Sequence, residues 1–265
     1  MKQLNQLTKQ TCQEIKVILT DIDDTVTTEG MLTSSAYSAL EALSNEGFIV
    51  IPVTGRSAGW CDHIARMWPV HAIVGENGAF SFRYDRKEKI LHKIFCQDDV
   101  TLMSNAQRLK SIGEDALDKI KGTKLASDQG FRLTDIAVDF AEDVEPLSLD
   151  EAQKIVDIAE AYGATAKISS IHVNCWFGDH SKLSTSLTLL KDSFNIVEDQ
   201  IQKSVVFIGD SPNDATMFEY FDLSIGVANI NAFADTLNEK PTYITNGYAG
   251  EGFTEVAKHL LANRF

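Results

Sequence analysis

Two pairs of closely spaced carboxylates are the residues in this chain best suited to chemistry. Asp21 and Asp23 stand either side of Ile22 in Asp21-Ile22-Asp23-Asp24-Thr25, and Asp210 and Asp214 bracket Ser211-Pro212-Asn213. Thr54-Gly55-Arg56 adds a hydroxyl and a guanidinium, and Lys182 adds an ammonium. Brought together, such a set could bind a cation, hold a phosphoryl group and move protons. Two unit charges about 4 Å apart repel by roughly 4 kcal/mol at an effective dielectric of about 20. Four acids in one place therefore need protonation or a bound cation. Oxygen donors without His or Cys select Mg2+, which takes one or two carboxylates together with water and substrate phosphate. A calcium loop opening at Asp21 is excluded, because Val26 occupies its glycine position and Leu32 its last ligand position. Read singly, the residues are ordinary. Acidic loop residues close turns and cap helices, Thr54 is a β-branched strand end, and Lys182 is a solvated helix residue. Their joint placement is what carries the reading.

That placement follows the strands. Residues 15–20, 48–53 and 71–74 are short apolar runs separated by helical patterns, the first of which places Ala36, Ala39, Leu40 and Leu43 on one face. A helical stripe of Leu183, Leu187, Leu190 and Phe194, a strand at 204–208 and a helix from Pro212 to Tyr220 resume the rhythm. Apolar pieces at 223–227 and 243–245 and a stripe of Phe253, Val256, Ala257 and Leu260 complete it. The alternation predicts an α/β fold, a Rossmann-like doubly wound parallel sheet with helices on both faces. Ligands of such sheets bind at the carboxyl ends of the strands, near the reversal of strand order. Asp21, Asp23, Asp210 and Asp214 all sit in loops that leave strands there. Pro52 lacks a ladder donor and predicts an irregularity in the second strand.

The middle of the chain breaks the rhythm. After a charged, turn-like stretch at 83–89 come a polar helix near 100–121, an alternating strand near 134–140, a helix over 149–161 and a strand pair at 164–168 and 171–177. This predicts an α/β insertion over residues 84–177, within a catalytic core formed by 1–83 and 178–265. His172 and Asn174 alternate along the last strand and so share a face.

Composition narrows the partners. Lys and Arg number 24 and Asp and Glu 38, a formal charge of −14, which opposes nucleic acid or an anionic membrane as partner. No run of apolar residues long enough to span a bilayer occurs, and residues 1–13 lack a signal-like apolar stretch. The four cysteines, Cys12, Cys61, Cys96 and Cys175, are dispersed and read as reduced thiols of a cytoplasmic protein.

With these residues in view, the chain resembles the haloacid dehalogenase-like (HAD) superfamily of phosphotransferases. The first motif of that family matches residues 19–26 around Asp21 and Asp23, the second residues 50–56 around Thr54, the third Lys182, and the fourth Gly209–Asp214. The insertion and Gly75-Glu76-Asn77-Gly78-Ala79 resemble subclass IIB, with its α/β cap, among whose members are sucrose-phosphate, mannosyl-phosphoglycerate and Cof-type phosphatases and phosphomannomutases. The resemblance implies a Mg2+-dependent phosphatase of a small phosphorylated metabolite, a sugar phosphate by preference. Asp21 would be the nucleophile and form an aspartyl-phosphate, and Asp23 the general acid and then base. Thr54 and Lys182 would hold the phosphoryl oxygens. The metal set would be drawn from Asp21, Asp210 and the carbonyl of Asp23, with Asp214 holding a metal-bound water or Lys182. Thr25, Arg56, Glu76, Asn77 and Asn213 from the core, with Arg132, His172, Asn174 and Trp176 from the cap, are candidates to meet or order the substrate.

Three other readings remain at this point. A mutase would pass the same phosphoryl group to a sugar instead of water. Gly55-Arg56-Ser57-Ala58-Gly59 matches the G-x-S-x-G elbow of serine hydrolases and follows a strand, with His172, His180 and His259 as possible bases, but it leaves both acidic clusters unexplained. A non-catalytic phosphate-binding protein is the third.

Overall fold

Runs that are apolar on both faces of the pleat need cover from both sides, and a parallel sheet between helix layers supplies it. The computed structural model describes residues 1–169, 171–235 and 237–265. Its main sheet contains β1 (Lys2–Gln3), β2 (Val17–Thr20), β3 (Ile49–Pro52), β11 (Val205–Gly209), β12 (Ser224–Gly226) and β13 (Tyr243–Ile244), in the order β1-β13-β12-β11-β2-β3. The pairings within it are parallel. Strand order runs outward from β2 to β3 on one side and from β11 to β12 and β13 on the other. The reversal therefore lies between β2 and β11.

The pleat sorts these strands between two apolar layers. Ile18, Val50, Val206 and Ile208 point to one, where α2 (Ser34–Asn45), α3 (Ala58–Met67) and α9 (Ala249–Ala262) contribute Leu40, Ile64 and Phe253. Val17, Leu19, Ile51 and Phe207 point to the other, beneath α6 (Lys182–Phe194), α7 (Glu198–Ser204) and α8 (Ala215–Tyr220). Each fully buried Ile, Leu or Phe contributes roughly 1.5–3 kcal/mol, so the sheet is firmly held under the loops that leave it. Thr33 caps α2 as its position suggests, accepting from the Ala36 amide. Pro52 does not disturb the register: it pairs opposite Thr20, at the edge of the sheet where a missing donor is tolerated.

The insertion forms an antiparallel sheet of β7 (Lys124–Leu125), β8 (Asp135–Asp139), β9 (Thr165–Ile168) and β10 (His172–Trp176), ordered β7-β8-β10-β9. Its Ile136, Val138, Val173 and Cys175 pack on α4 (Asp99–Lys119) and α5 (Leu149–Ala161) in an apolar cluster of their own. The alternate residues, Asp135, His172, Asn174 and Trp176, are thereby left on the opposite face.

The expected start of the insertion at residue 84 falls inside a strand. β4 (Ile73–Gly75), β5 (Phe80–Asp85) and β6 (Ile90–Phe95) form an antiparallel sheet, and Phe80, Phe82, Tyr84, Leu91 and Phe95 pack with the first layer of the main body. The β5–β6 hairpin thus belongs by its packing with the parallel sheet. Among the elements that escaped the periodicity are the short polar β1, α1 (Lys9–Glu14), β7 and α7, and the strand β6. The helix expected from Pro212 is a single 3-10 turn over Pro212–Asp214 followed by α8.

Candidate active site

Asp21 directly follows β2 and Asp210 directly follows β11, and pairing of these strands at the reversal of strand order sets them side by side. The Asp21 amide donates to the Ile208 carbonyl at 2.9 Å, which carries the ladder into the loop. Beyond it the amides of Thr25, Val26 and Thr27 all converge on the Ile22 carbonyl, at 3.2, 2.9 and 2.9 Å, and the chain knots into a tight turn. After β11, the Asp214 carboxylate returns to accept from the Asp210 amide at 3.2 Å. A Cβ at position 209 would collide with that carboxylate, which is why Gly209 is required there.

Lys182 reaches the same point from α6. Its Nζ lies 2.8 Å from Asp21 Oδ1 and 2.8 Å from Asp214 Oδ1. Gly78 permits this approach: at φ +104 it lets the Glu76–Gly78 turn lie against Ser181, where a Cβ would meet the Ser181 carbonyl. Lys182, Asp21, Asp210 and Asp214 are all buried. Burial alone would lower the Lys182 pKa, but the charges of Asp21 and Asp214 outweigh it and hold the ammonium above its usual range. Burial pushes Asp21 up to about 7 against the pull of Lys182, with Asp214 and Asp23 adding to the rise. Burial and then the charges of Asp21 and Asp214 push Asp210 well above the usual carboxylate range.

One ammonium therefore faces three buried acids. Carboxylate oxygens of Asp21, Asp210 and Asp214 lie within 4.8 Å of one another. An all-oxygen group with a surplus of negative charge fits a hard divalent cation. The Asp23 carboxylate is not in this group. Arg56 holds it through Nε, 3.1 and 3.0 Å from its two oxygens, and Nη2, 2.9 Å from Oδ1. The Asp23 carboxylate is thus engaged by Arg56, and the donor expected from this residue is its backbone carbonyl.

Several of the expected site residues also bond to other parts of the chain. Thr25 donates to Asp210 Oδ1 at 3.2 Å and orders that acid. Thr54 is fully buried, and its hydroxyl accepts from the Arg56 amide at 3.0 Å. Glu76 does not face the cleft: its carboxylate accepts from the amides of Ala58, Leu133 and Thr134 and from the Thr134 hydroxyl, tying α3 to the inserted segment. Asn213 accepts from the Ser211 hydroxyl at 2.9 Å. Asn77, at a positive φ of 56, Arg56, Asn213, His172 and Asn174 do line the cleft beside Asp21 and Asp210.

The polar face of the inserted sheet closes over these residues. Arg132 pairs with Asp128 and Asp135, each at 3.0 Å, and donates to the Gly55 carbonyl at 3.1 Å. Asn174 donates to Asp135 at 3.2 Å. Glu142 was not foreseen; it lies 3.1 Å from Arg56 and 2.9 Å from His172 Nε2. No spacing marks Glu142 in the sequence. Asp128, Arg132 and Asp135 stand at ion-pair intervals of four and three, a signal that was there to be read. The serine-hydrolase reading fails on geometry: Ser57 is fully buried with no partner for its hydroxyl among the described residues, and His259 bonds the Leu7 carbonyl.

A family model described as haloacid dehalogenase-like hydrolase matches residues 18–112 and 178–254. A phosphoglycolate phosphatase from Methanosarcina mazei is 27% identical over 260 residues, which cover 94% of this chain and 98% of that protein. A sucrose-phosphatase from Synechocystis, solved with sucrose and phosphate, superposes with a TM-score of 0.62 at 14% identity, covering 94% of this chain and 98% of its own. A sugar phosphatase of HAD subclass IIB superposes with a TM-score of 0.62 at 13% identity, over 92% and 98% of the two chains. These two structural likenesses are of fold.

Proposed function

The chain belongs to the haloacid dehalogenase-like hydrolases, and we propose that it is a Mg2+-dependent phosphatase of a small phosphorylated metabolite, a sugar phosphate by preference, working through an aspartyl-phosphate on Asp21. The observation that carries this reading is the bridge of Lys182 between Asp21 and Asp214, with Asp210 alongside, at the reversal of strand order. The phosphatase names of a curated relative and of structural neighbours support it.

Lys182 engages Oδ1 of Asp21 and leaves Oδ2 to attack phosphorus, while its remaining positive charge faces the phosphoryl oxygens. Asp21 displaces the alcohol and becomes esterified, and water then hydrolyses the ester. Asp23 gives a proton to the leaving oxygen and takes one from the attacking water. To do so its carboxyl exchanges the Arg56 pair for the reacting oxygen. Mg2+, held by Asp21 and Asp210 with the Asp23 carbonyl, would neutralise charge on the phosphoryl oxygens. Asp214 keeps Lys182 in place, and Thr25 orients Asp210. The inserted sheet and its helices, residues 99–177, act as a cap that shields the reaction from water.

The test is inorganic phosphate release from a panel of phosphate esters with Mg2+, repeated with EDTA. Turnover that EDTA abolishes and Mg2+ restores is expected. No turnover of any ester, or turnover indifferent to chelation, overturns the reading. No helix among the described residues is long and apolar enough to cross a membrane.

A further inference from the structure

On the Mg2+ reading above, one donor to the cation is the backbone carbonyl of Asp23, and a carbonyl serves only where its peptide is aimed. We infer that Asn229 is a positioning residue for that cation: its side chain clamps Asp24 and so fixes the direction of the Asp23 carbonyl.

The backbone at this turn needs holding. Asp24 lies in the left-handed region at φ 54, where the Cβ of an L residue crowds its own backbone. Such a conformation persists only where the surrounding structure enforces it. Peptides are planar, so the φ and ψ of Asp24 relate the Asp23 carbonyl on one side to the Asp24 carbonyl on the other. Downstream, the amides of Thr25, Val26 and Thr27 close the turn on the Ile22 carbonyl. Holding the Asp24 carbonyl therefore steadies the Asp23 carbonyl as well.

Asn229 supplies the hold from 205 residues away in the chain. Its Nδ2 donates to the Asp24 carbonyl at 2.6 Å, and its Oδ1 accepts from the Ala249 amide at 2.9 Å. These partners fix the orientation of the side-chain amide, since a carbonyl is met only by the NH2 and an N–H only by the oxygen. Ala249 opens α9 and is itself left-handed at φ 46. One side chain thus ties two strained residues together.

The mount of this clamp is firm. Asn229 follows β12, which lies beyond β11 from β2. The Val227 amide donates to the Gly209 carbonyl at 3.0 Å, and the Ala228 amide to the Gly247 carbonyl at 3.0 Å. The first of these bonds joins the turn that carries Asn229 to the strand that delivers Asp210.

A neighbouring tie allows positioning to be told from packing. Thr28 Oγ1 accepts from the Gly250 amide at 3.1 Å, and a Cβ on Gly250 would crowd the Val26 carbonyl. This contact docks the same end of α9 on the same loop, but beyond the turn at Asp24.

The test derives the Kd for Mg2+ from the rise of the thermal midpoint with its concentration, in the wild type, Asn229→Ala and Thr28→Val. It then repeats Asn229→Ala in an Asp24→Gly background. Asn229→Ala should weaken Mg2+ about tenfold, the equivalent of one hydrogen bond, and Thr28→Val less than about twofold. Glycine adopts a positive φ without strain, so in the Asp24→Gly background Asn229→Ala should cost about threefold or less. Comparison within each background removes the effect of the lost Asp24 charge. Should Asn229→Ala fail to fold, Asn229→Asp takes its place, because it keeps the volume and the acceptor for Ala249 and loses only the donor. Its added charge attracts a cation, so weaker binding there reports the lost clamp. An unchanged Kd, an equal loss in both backgrounds, or an equal loss in Thr28→Val overturns the inference while leaving the phosphatase reading intact. A wild type whose midpoint ignores Mg2+ sinks the metal reading and the inference together.

Discussion

Glu142 reaches Arg56 across the junction between the inserted sheet and the parallel-sheet body, its Oε1 3.1 Å from Nη1, while the same guanidinium grips both oxygens of Asp23. The two side chains are 28% and 16% exposed, so the pair is partly solvated and worth about 1 kcal/mol or less. The His172 ring nitrogen, and then Arg56, hold the Glu142 carboxyl down to about 2 from an ordinary 4.5, against the effect of burial. A depressed value in the folded state means that the contribution is complete above 4.5 and lost as pH falls toward 2. Glu142→Gln should lower the urea midpoint at neutral pH, with the difference from wild type shrinking in acid. A difference of equal size at both ends of that window would show that no ionic link operates.

Lys182 bridges Asp21 and Asp214. Removing one partner of a buried ionic group leaves uncompensated charge and costs about 3–5 kcal/mol. Lys182→Ala should therefore unfold at markedly lower urea and lose at least a hundredfold in phosphate release. Pairing the change with Asp214→Asn should recover part of the stability but none of the activity. Full stability in the single variant would mean that the bridge bears no charge.

How much of this was legible in the sequence depends on the kind of signal each residue carries. The carboxylates at 21, 23, 210 and 214 announced themselves through spacing next to apolar runs, because a parallel strand fixes where its loop begins. Lys182 was legible as the first residue of a periodic helix. Roles that depend on which partner a side chain chooses were not. Glu76 looked available to substrate, yet its oxygens are consumed by backbone amides brought from positions 58, 133 and 134. Asp23 reads the same in the sequence as Asp21, and only the fold shows that Arg56 takes one while Lys182 takes the other. Glu142 has no local pattern at all. A boundary at residue 84 follows from the charged, turn-like stretch at 83–89, yet it cuts the β5–β6 hairpin, whose aromatic face packs on the main body.

The acidic group should register Mg2+ without any turnover. A ligand that binds only the folded chain stabilises it by RT ln(1 + [L]/Kd), about 1.4 kcal/mol at a tenfold excess over Kd. Mg2+ should raise the thermal midpoint of the wild type, K+ at equal ionic strength should not, and Asp210→Asn should abolish the rise. An equal rise in that variant would place the ion elsewhere.

Asp21→Asn separates chemistry from folding. The amide keeps the volume and removes one of three crowded acids, so the thermal midpoint should stay at or above that of the wild type. Phosphate release should fall below detection, since an amide cannot be esterified by the phosphoryl group. Persistent turnover in a folded variant would remove Asp21 from the role of nucleophile.

Glu76 supplies the last test, because its burial and its donors pull in opposite directions. Burial first, and then the charge of Asp135, push it up to about 7 from 4.5, although hydrogen bonds from Thr134, Leu133 and Ala58 oppose the rise. Between those two values the folded chain holds a proton that the unfolded chain has released. A raised value means that the stabilising contribution is complete below 4.5 and is lost as pH rises through about 7. Glu76→Gln cannot titrate, and its NH2 would face donors, at a cost of about 1–3 kcal/mol for each one left unpaired. The variant should therefore be less stable than wild type throughout, with the gap in urea midpoint narrowing as pH climbs from 4.5 to about 7. A gap that widens over this range would mean that the donors outweigh burial and that Glu76 is ionised in the folded chain, an anionic tie between α3 and the inserted segment.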